Sequence, residues 1–193
     1  MSSSPLIEKT VILAKHDCLQ RGLVGELIGR FEQRGFRLAA MKMALPTAEL
    51  LGQHYADDKE WKISVGVKTI KVMAEKGIKM TETAEQIGDR IRAWNMAGLQ
   101  GGPIIAMIFE GFHAIEVGRK IVGATEPRAA VPGSFRGDYS TESYEIGDTH
   151  QRVIRNMVHA SGNKEQADRE IKIWFKPEEI HNWDRKDWGV MHK

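Results

Sequence analysis

The chain has 193 residues, of which 41% are hydrophobic, so it is long enough for one well-buried domain and too short for two comfortable ones. Its 28 basic and 26 acidic residues nearly cancel, which excludes a global field favouring nucleic acid or an anionic membrane and leaves a small partner as the expectation. The single cysteine, Cys18, excludes an internal disulfide and is typical of a reducing compartment, where a small buried thiol is expected.

The start of the chain, residues 1–5, lacks the basic flank and the long apolar stretch of a signal peptide. No run approaches the roughly 18 apolar residues of a membrane span. The sequence therefore predicts a soluble, cytoplasmic protein that does not bind a membrane.

The first half of the chain predicts two strands with a helix after each. Residues 10–14 form a β-branched and apolar run that predicts a buried strand. Apolar residues then recur at helical spacing over residues 23–31, and Gly35 ends this helix. Residues 37–44 predict a second strand, and the sequence from Pro46 predicts a short helix.

The second half continues the alternation. Residues 103–109 predict a third strand, residues 114–122 a helix, and Met157 and Val158 part of a fourth strand. A final helix follows, with apolar positions at Ala167, Ile171, Trp174 and Phe175. This order predicts a ferredoxin-like α/β sandwich, with a four-stranded antiparallel sheet and surface helices, in one domain over residues 1–193.

Three segments go beyond a minimal version of this fold. Residues 68–100 predict an inserted amphipathic hairpin, and residues 140–151, rich in Ser, Thr, Glu and Asp, predict a second insertion in the form of an exposed loop. The tail at residues 181–193 contains Trp183 and Trp188, so we expect it to strap over the domain or a neighbouring subunit.

The segment Asn156-Met157-Val158-His159-Ala160-Ser161, followed by a helix that carries Glu170, is the strongest functional signal. At neutral pH an imidazole has a free nitrogen lone pair that can attack phosphorus, and a carboxylate on its other nitrogen would fix the tautomer. A histidine at the end of an apolar strand is more often structural, so this segment alone leaves both interpretations open.

Cations at three places could hold a polyphosphate: Lys15 after the first strand, Arg119 on a helix, and Arg136 between Gly133 and Gly137. Singly, each is more often a solvated surface charge. The chain has no Walker-type or G-x-G-x-x-G loop, so nucleotide binding would depend on side chains.

Taken together, these motifs resemble the nucleoside diphosphate kinase family. The resemblance covers most of the chain outside the two insertions and the tail. It rests on these segments: residues 15–26, 30–32, 54–55, 102–111, 118–119, 123–125, 132–138, 155–161 and 170–179.

The resemblance implies that His159 takes the γ-phosphoryl group from a nucleoside triphosphate and passes it to a nucleoside diphosphate in a ping-pong cycle. Glu170 would orient the imidazole, and Ser161 would support that contact. The phosphates would be held or polarised by five side chains: Lys15, Tyr55, Arg119, Thr125 and Arg136.

The resemblance also implies that Asn156 and Lys15 contact the ribose 3′-hydroxyl. Val153 would contact one face of the base, with Ile63 or the nearby Trp61 on the other. ATP would serve as phosphoryl donor, and Mg²⁺ would arrive with the nucleotide; the histidines show no metal-ligand spacing, so no protein-bound metal is predicted. The family forms homo-oligomers, so a hexamer is favoured, with a tetramer or dimer as alternatives.

The chain departs from the family pattern at several positions. His16 replaces a proline, and Ala160 replaces a glycine, at a cost of about 1 kcal/mol if that position needs a positive φ. Gly162 replaces an aspartate, and Asn163 is the expected substitute as helix cap. Two alternatives to the kinase remain: a nucleotide-binding or protein-interaction module, and a phosphohistidine donor to protein partners.

Overall fold

A computed structural model describes residues 6–191 and shows one four-stranded sheet. The strands are paired antiparallel in the order β2-β3-β1-β4. Their bounds are β1 Ile7–Ala14, β2 Arg37–Ala44, β3 Ile104–Phe112 and β4 Val158–Ala160. All four predicted strands are present, and the predicted ferredoxin-like sandwich is confirmed.

Ten α-helices lie in the described part of the chain. They are α1 His16–Gln20, α2 Val24–Gln33, α3 Ala48–His54, α4 Lys59–Glu75, α5 Ala84–Gln100, α6 Ala114–Val122, α7 Phe135–Tyr139, α8 Tyr144–Thr149, α9 Lys164–Trp174 and α10 Trp188–Met191. Short 3₁₀ turns occupy Pro127–Ala129 and Pro177–Glu179. None of the helices in residues 6–191 combines the length and apolar character needed to cross a bilayer.

Residues 10–14 of the inner strand β1 are buried on both faces, which explains the apolar run of the sequence there. Ile12 and Ala14 belong to a core layer with Phe31 of α2 and Phe109 of β3, whose rings stack with centroids 4.4 Å apart. The alternate residues of β1 point to the other layer, which contains Leu51 of α3 and Trp174 of α9. Burial on both sides fixes the end of β1 in the middle of the molecule.

The predicted hairpin at residues 68–100 is present but begins nine residues earlier, at Lys59. Asp58 caps α4 by accepting a hydrogen bond from the Trp61 amide. The two helices touch through glycines: a Cβ on Gly66 would lie 1.9 Å from the Ala84 carbonyl oxygen, and one on Gly88 would lie 2.5 Å from the Lys62 Cα. Backbone therefore meets backbone along this hairpin.

The prediction of an exposed loop at residues 140–151 is wrong for Tyr144–Thr149, which form the helix α8, although most of the segment is exposed. The Ser143 hydroxyl caps this helix by accepting a hydrogen bond from the Ile146 amide. The polar composition that predicted a loop is the composition of an exposed helix with its cap.

Residues 181–191 lie across the chain's own domain. The Trp183 indole N–H donates to the Leu38 carbonyl at 2.9 Å, and the Arg185 guanidinium donates to the carbonyl oxygens of Glu32 and Phe36. The last two residues of the predicted strap lie outside the described residues. Residues 1–5, for which the sequence predicts no targeting segment, lie outside them as well.

The burial predicted for the Cys18 thiol is confirmed, and burial raises its pKa to about 12.

Candidate active site

The turn before β4 has the backbone conformation that positions the candidate nucleophile. Met157 adopts a φ of 61°, which is rare for a residue with a side chain. Its amide donates to Asp17 Oδ2 at 3.0 Å, and its carbonyl accepts from the Lys15 amide at 2.8 Å. These bonds connect the end of β1 to the start of β4, where Leu13 pairs with His159.

The possible penalty at Ala160 does not arise, because the described residues with a positive φ other than glycine are His113, Gln151 and Met157. Asn163 caps α9 as predicted, accepting a hydrogen bond from the Gln166 amide at 2.8 Å. His16 begins α1, and its Nδ1 lies 3.3 Å from the Pro103 carbonyl oxygen. The departures at positions 16, 160 and 163 therefore add no positive φ to the backbone of the site.

The imidazole of His159 contacts a buried carboxylate. His159 Nε2 lies 2.9 Å from Glu170 Oε1, and the Ser161 hydroxyl donates to Glu170 Oε2 at 2.7 Å. The Val11 amide donates to the same hydroxyl oxygen, so Ser161 is itself anchored to β1. Because the ionised carboxylate accepts only, His159 carries its proton on Nε2, and Nδ1 keeps a free lone pair with no partner among the described residues.

Glu170 is almost fully buried, yet it remains ionised at neutral pH. Burial raises the pKa of this carboxyl group, but attraction to His159 and the hydrogen bonds from His159 and Ser161 outweigh burial and lower it below 4.5. The charge is therefore available to stabilise positive charge that develops on the imidazole.

A second buried group lies at the end of β1. Lys15 Nζ donates to Asn156 Oδ1 at 2.7 Å, and the Asn156 amide nitrogen donates to the Thr125 carbonyl at 2.9 Å. Burial lowers the pKa of Lys15 to about 8, assisted by Arg136 and opposed by Asp17. Lys15 is thus a charged donor at neutral pH and is close to losing its proton.

Arg136 is buried and bonded mainly to backbone. Its guanidinium donates to the carbonyl oxygens of Gly123, Ala124, Asn156 and Val158. These hydrogen bonds hold the segment after α6 against the start of β4. Four contacts leave one of its five N–H groups for a ligand. The sequence interpretation of Arg136 as a phosphate clamp therefore gains a second component, the support of surrounding loops.

Arg119, by contrast, is exposed on α6. Its Nη1 lies close to Gly162, since a Cβ built on that glycine would be 3.7 Å away, at ordinary contact distance. Burial lowers the pKa of Arg136 to about 10, and the positive charge of Arg119 lowers it further. A polyanion is the ligand that the field of these two cations attracts.

Two cavities are lined by residues of the predicted site. The smaller, of about 240 Å³, is lined by His159, Glu170, Tyr55 and Trp61 among others. The pKa of Tyr55 is raised by burial, so its hydroxyl keeps its proton. The larger, of about 900 Å³, is of a size that holds small organic ligands, and the predicted nucleotide residues on its wall are Lys15, Thr125, Val153 and Asn156.

Ile63 is not among the residues that line either cavity; it lies on α4 with 39% of its surface exposed. Ile91 and Trp94 of α5 line the large cavity with Val153 instead. Val153 packs closely on α5, where a Cβ on Gly98 would lie 2.4 Å from its Cγ1. The resemblance implied Ile63 or Trp61 beside the base, whereas Ile91 and Trp94, three residues apart on α5, share the face that lines this cavity.

Sequence reasoning also missed two buried residues beside the nucleophile. The Trp174 indole N–H donates to His54 Nδ1 at 3.2 Å, and the His54 ring packs edge-to-face on His159 with centroids 4.6 Å apart. Ligand atoms of His54, His159 and Glu170 lie within 4.8 Å of one another. His54 Nδ1, His159 Nε2 and both oxygens of Glu170 take part in the hydrogen bonds described above, and the absence of a protein-bound metal stays a prediction.

The ferredoxin-like sheet, with an oriented imidazole beside buried cations and a ligand-sized cavity, defines a phosphotransferase. Comparison with known proteins identifies the family of phosphotransferases to which the chain belongs. The sequence profile described as nucleoside diphosphate kinase matches residues 8–81 and 95–180. The chain therefore belongs to the nucleoside diphosphate kinase family.

Individual relatives match over nearly their whole length. A nucleoside diphosphate kinase of Pyrobaculum aerophilum is 39% identical over 179 residues, covering 90% of this chain and 98% of that protein. One from Emericella nidulans is 38% identical, covering 96% and 97%. The profile match omits residues 82–94, inside the hairpin predicted as an insertion, and continues through residues 140–151.

Solved structures show the same likeness. The crystal structure of an NDP kinase from Pyrobaculum aerophilum superposes with a TM-score of 0.87 at 37% identity, covering 91% of this chain and all of that one. The nucleoside diphosphate kinase of Borrelia burgdorferi, solved as a transition-state mimic with vanadate and ADP, gives a TM-score of 0.79 at 32% identity, covering 97% and 98%.

Proposed function

We propose that the chain transfers the γ-phosphoryl group of a nucleoside triphosphate to a nucleoside diphosphate through a phosphohistidine at His159. The observation that supports this proposal is the bond between His159 Nε2 and Glu170, which leaves Nδ1 as the nucleophilic nitrogen. The Nδ1 lone pair forms the N–P bond while the bond to the β,γ-bridging oxygen breaks and the diphosphate leaves. A second diphosphate then attacks the same phosphorus, the N–P bond breaks, and the imidazole is regenerated.

The surrounding side chains receive matching roles in this proposal. Lys15, Tyr55, Arg119, Thr125 and Arg136 hold or polarise the phosphates, and Asn156 with Lys15 meets the ribose 3′-hydroxyl. Charge spreads over the transferring oxygens in the transition state, so positioned cations supply most of the stabilisation. ATP is the proposed donor, and Mg²⁺ arrives on its phosphates.

The experiment that tests the proposal is incubation of the wild-type protein with γ-labelled ATP, followed by addition of unlabelled diphosphate. We expect an acid-labile, base-stable label on the protein that the diphosphate removes as labelled triphosphate. Tight nucleotide binding without label would instead support the alternative of a binding module. Label that moves only to added proteins would support the phosphohistidine donor.

The base site in this proposal is the large cavity, whose lining includes Val153 and Ile91, and Ile91 takes the place that the resemblance gave to Ile63. We expect Ile91→Ala to raise KM for nucleotides about fivefold with kcat nearly unchanged, because apolar contact with the base is equal in ground and transition states. Ile63→Ala is the matched control, since its side chain does not line the cavity, and its KM should equal that of wild type. Steady-state kinetics with several diphosphates would decide, and an equal effect of both substitutions would contradict the assignment.

The lowered pKa of Lys15 predicts an alkaline limit on activity. Below about pH 8 the ammonium is charged and can bind phosphate, and above that value the buried amine becomes neutral. We therefore expect kcat/KM, which reports the free enzyme, to fall with an apparent pKa of about 8.

Lys15→Arg is the control for this alkaline limb of the pH profile, because a guanidinium has a pKa above about 12 and stays charged. The variant should be slower at neutral pH, since its fork does not reproduce the Lys15–Asn156 contact, and its alkaline limb should move to higher pH. A limb that stays in place in the variant would assign the titration to another group.

The proposed assembly is a homo-oligomer, with a hexamer favoured over a tetramer or dimer. The edge strand β2 supports it, because Met41 and Met43 expose 54% and 65% of their surface along an unpaired edge. Light scattering measures the number of subunits directly. A single domain with two insertions and a cytoplasmic location, in keeping with the lone Cys18, complete the proposal.

A further inference from the structure

The pair formed by Trp174 and His54 has a defined proton arrangement. Trp174 is the last residue of α9, and both side chains are nearly fully buried. An indole nitrogen donates only, so the nitrogen of His54 that accepts from it, Nδ1, carries no proton. The neutral ring therefore carries its proton on Nε2.

This tautomer leaves a donor unsatisfied. His54 Nε2 is buried and has no hydrogen-bond partner among the described residues. An unpaired buried N–H is unfavourable, so the ring would not adopt this tautomer for the sake of Nε2. The hydrogen bond from Trp174 is the contact that imposes it.

The nitrogen that Trp174 keeps free of a proton is the one that faces the catalytic carboxylate. His54 Nδ1 lies 3.8 Å from Glu170 Oε1, the same oxygen that lies 2.9 Å from His159 Nε2. With a proton on Nδ1, His54 would become a second donor to that oxygen after a small shift. His159 would then share the acceptor that fixes its orientation.

We propose that Trp174 reserves Glu170 for His159: by donating to His54 Nδ1, it prevents His54 from competing for the carboxylate. Trp174 and His54 are positioning residues in this account, since both act through Glu170 and the His159 imidazole. The inference rests on the proposed function, in which His159 Nδ1 attacks phosphorus. It explains why a buried histidine is paired with a tryptophan directly behind the nucleophile.

The test is a double-mutant cycle with Trp174→Phe and His54→Leu. Trp174→Phe frees His54 Nδ1, so kcat should fall about tenfold, the equivalent of one hydrogen bond, with KM unchanged because neither residue lines the large cavity. His54→Leu removes the competitor, so kcat should fall less than about threefold. The double variant should recover to the level of His54→Leu, because nothing remains to compete.

A double variant as slow as Trp174→Phe would overturn the proposal, since Trp174 would then act through packing alone. Thermal unfolding of each variant checks that the fold is retained. If Trp174→Phe does not fold, the ¹⁵N imidazole spectrum of the wild-type protein decides: we expect a protonated Nε2 and a bare Nδ1 on His54, and the reverse pattern is incompatible with the proposal. That spectrum tests the pair even if the labelled-ATP experiment rejects the proposed function.

Discussion

His159→Ala is expected to abolish phosphoenzyme formation and to lower nucleoside diphosphate kinase activity at least about 10⁴-fold. Alanine has no lone pair at the position of Nδ1, so the N–P bond on which both halves of the cycle depend cannot form. Binding residues such as Lys15 and Asn156 remain, so the affinity for nucleotide should stay close to that of wild type. Labelling with γ-labelled ATP and nucleotide titration measure the two effects separately.

His181→Ala is the matched control for this loss. His181 is exposed at the start of the C-terminal strap, and its backbone amide, which the substitution retains, donates to Ala39. The control should therefore incorporate label at the wild-type rate. Normal phosphotransfer by His159→Ala would disprove the assignment of the nucleophile.

Glu170→Gln is expected to lower kcat by about 10²-fold or more, with little change in KM. The amide retains the size of the side chain but removes the negative charge that faces the imidazole when positive charge develops there. Its NH₂ group can also donate to the imidazole nitrogen that should carry the proton, which favours the wrong tautomer of His159. Single-turnover phosphorylation measures this step without the contribution of product release.

Glu165→Gln is the control on the same helix, because Glu165 is exposed in the first turn of α9. The two substitutions should also differ in how they change the free energy of unfolding at acid pH. The folded-state pKa of Glu170 lies below 4.5, so its charge stabilises the fold at neutral pH, and that contribution disappears as the pH falls through the folded value. An unchanged kcat in Glu170→Gln would remove Glu170 from its orienting role.

The sheet was predictable because its signals are local. Burial on both faces of β1 requires an unbroken apolar run, and Gly35, with a φ of 92°, ends α2 where a side chain would be strained. The candidate site was predictable to the extent that its chemistry requires particular side chains: a histidine, a carboxylate eleven residues later and a lysine at the end of a strand. His159 and Glu170 meet through β4 and α9, which adjoin in sequence.

The remaining features depend on contacts between distant segments, which no local pattern encodes. Ile63 and Ile91 are both isolated apolar residues, each between two polar neighbours in the sequence, and only the packing of α5 against Val153 decides which one faces the cavity. The bond between His54 and Trp174 joins residues 120 positions apart. The four carbonyls bound by Arg136 come from the segment after α6 and from the start of β4, whose proximity follows from the fold, so its bracing role was not predictable.

The glycine contacts between α4 and α5 have a mechanical consequence for the nucleotide cavity. Helices whose backbones touch at Gly66 and Gly88 cannot bend or slide separately, so the hairpin behaves as a single stiff lever. Both helices contribute to the large cavity, through residues such as Val65 of α4 and Ile91 of α5, so the wall on that side is one rigid unit. A larger side chain at Gly66 or Gly88 would push the two helices apart and would therefore change the shape of that wall.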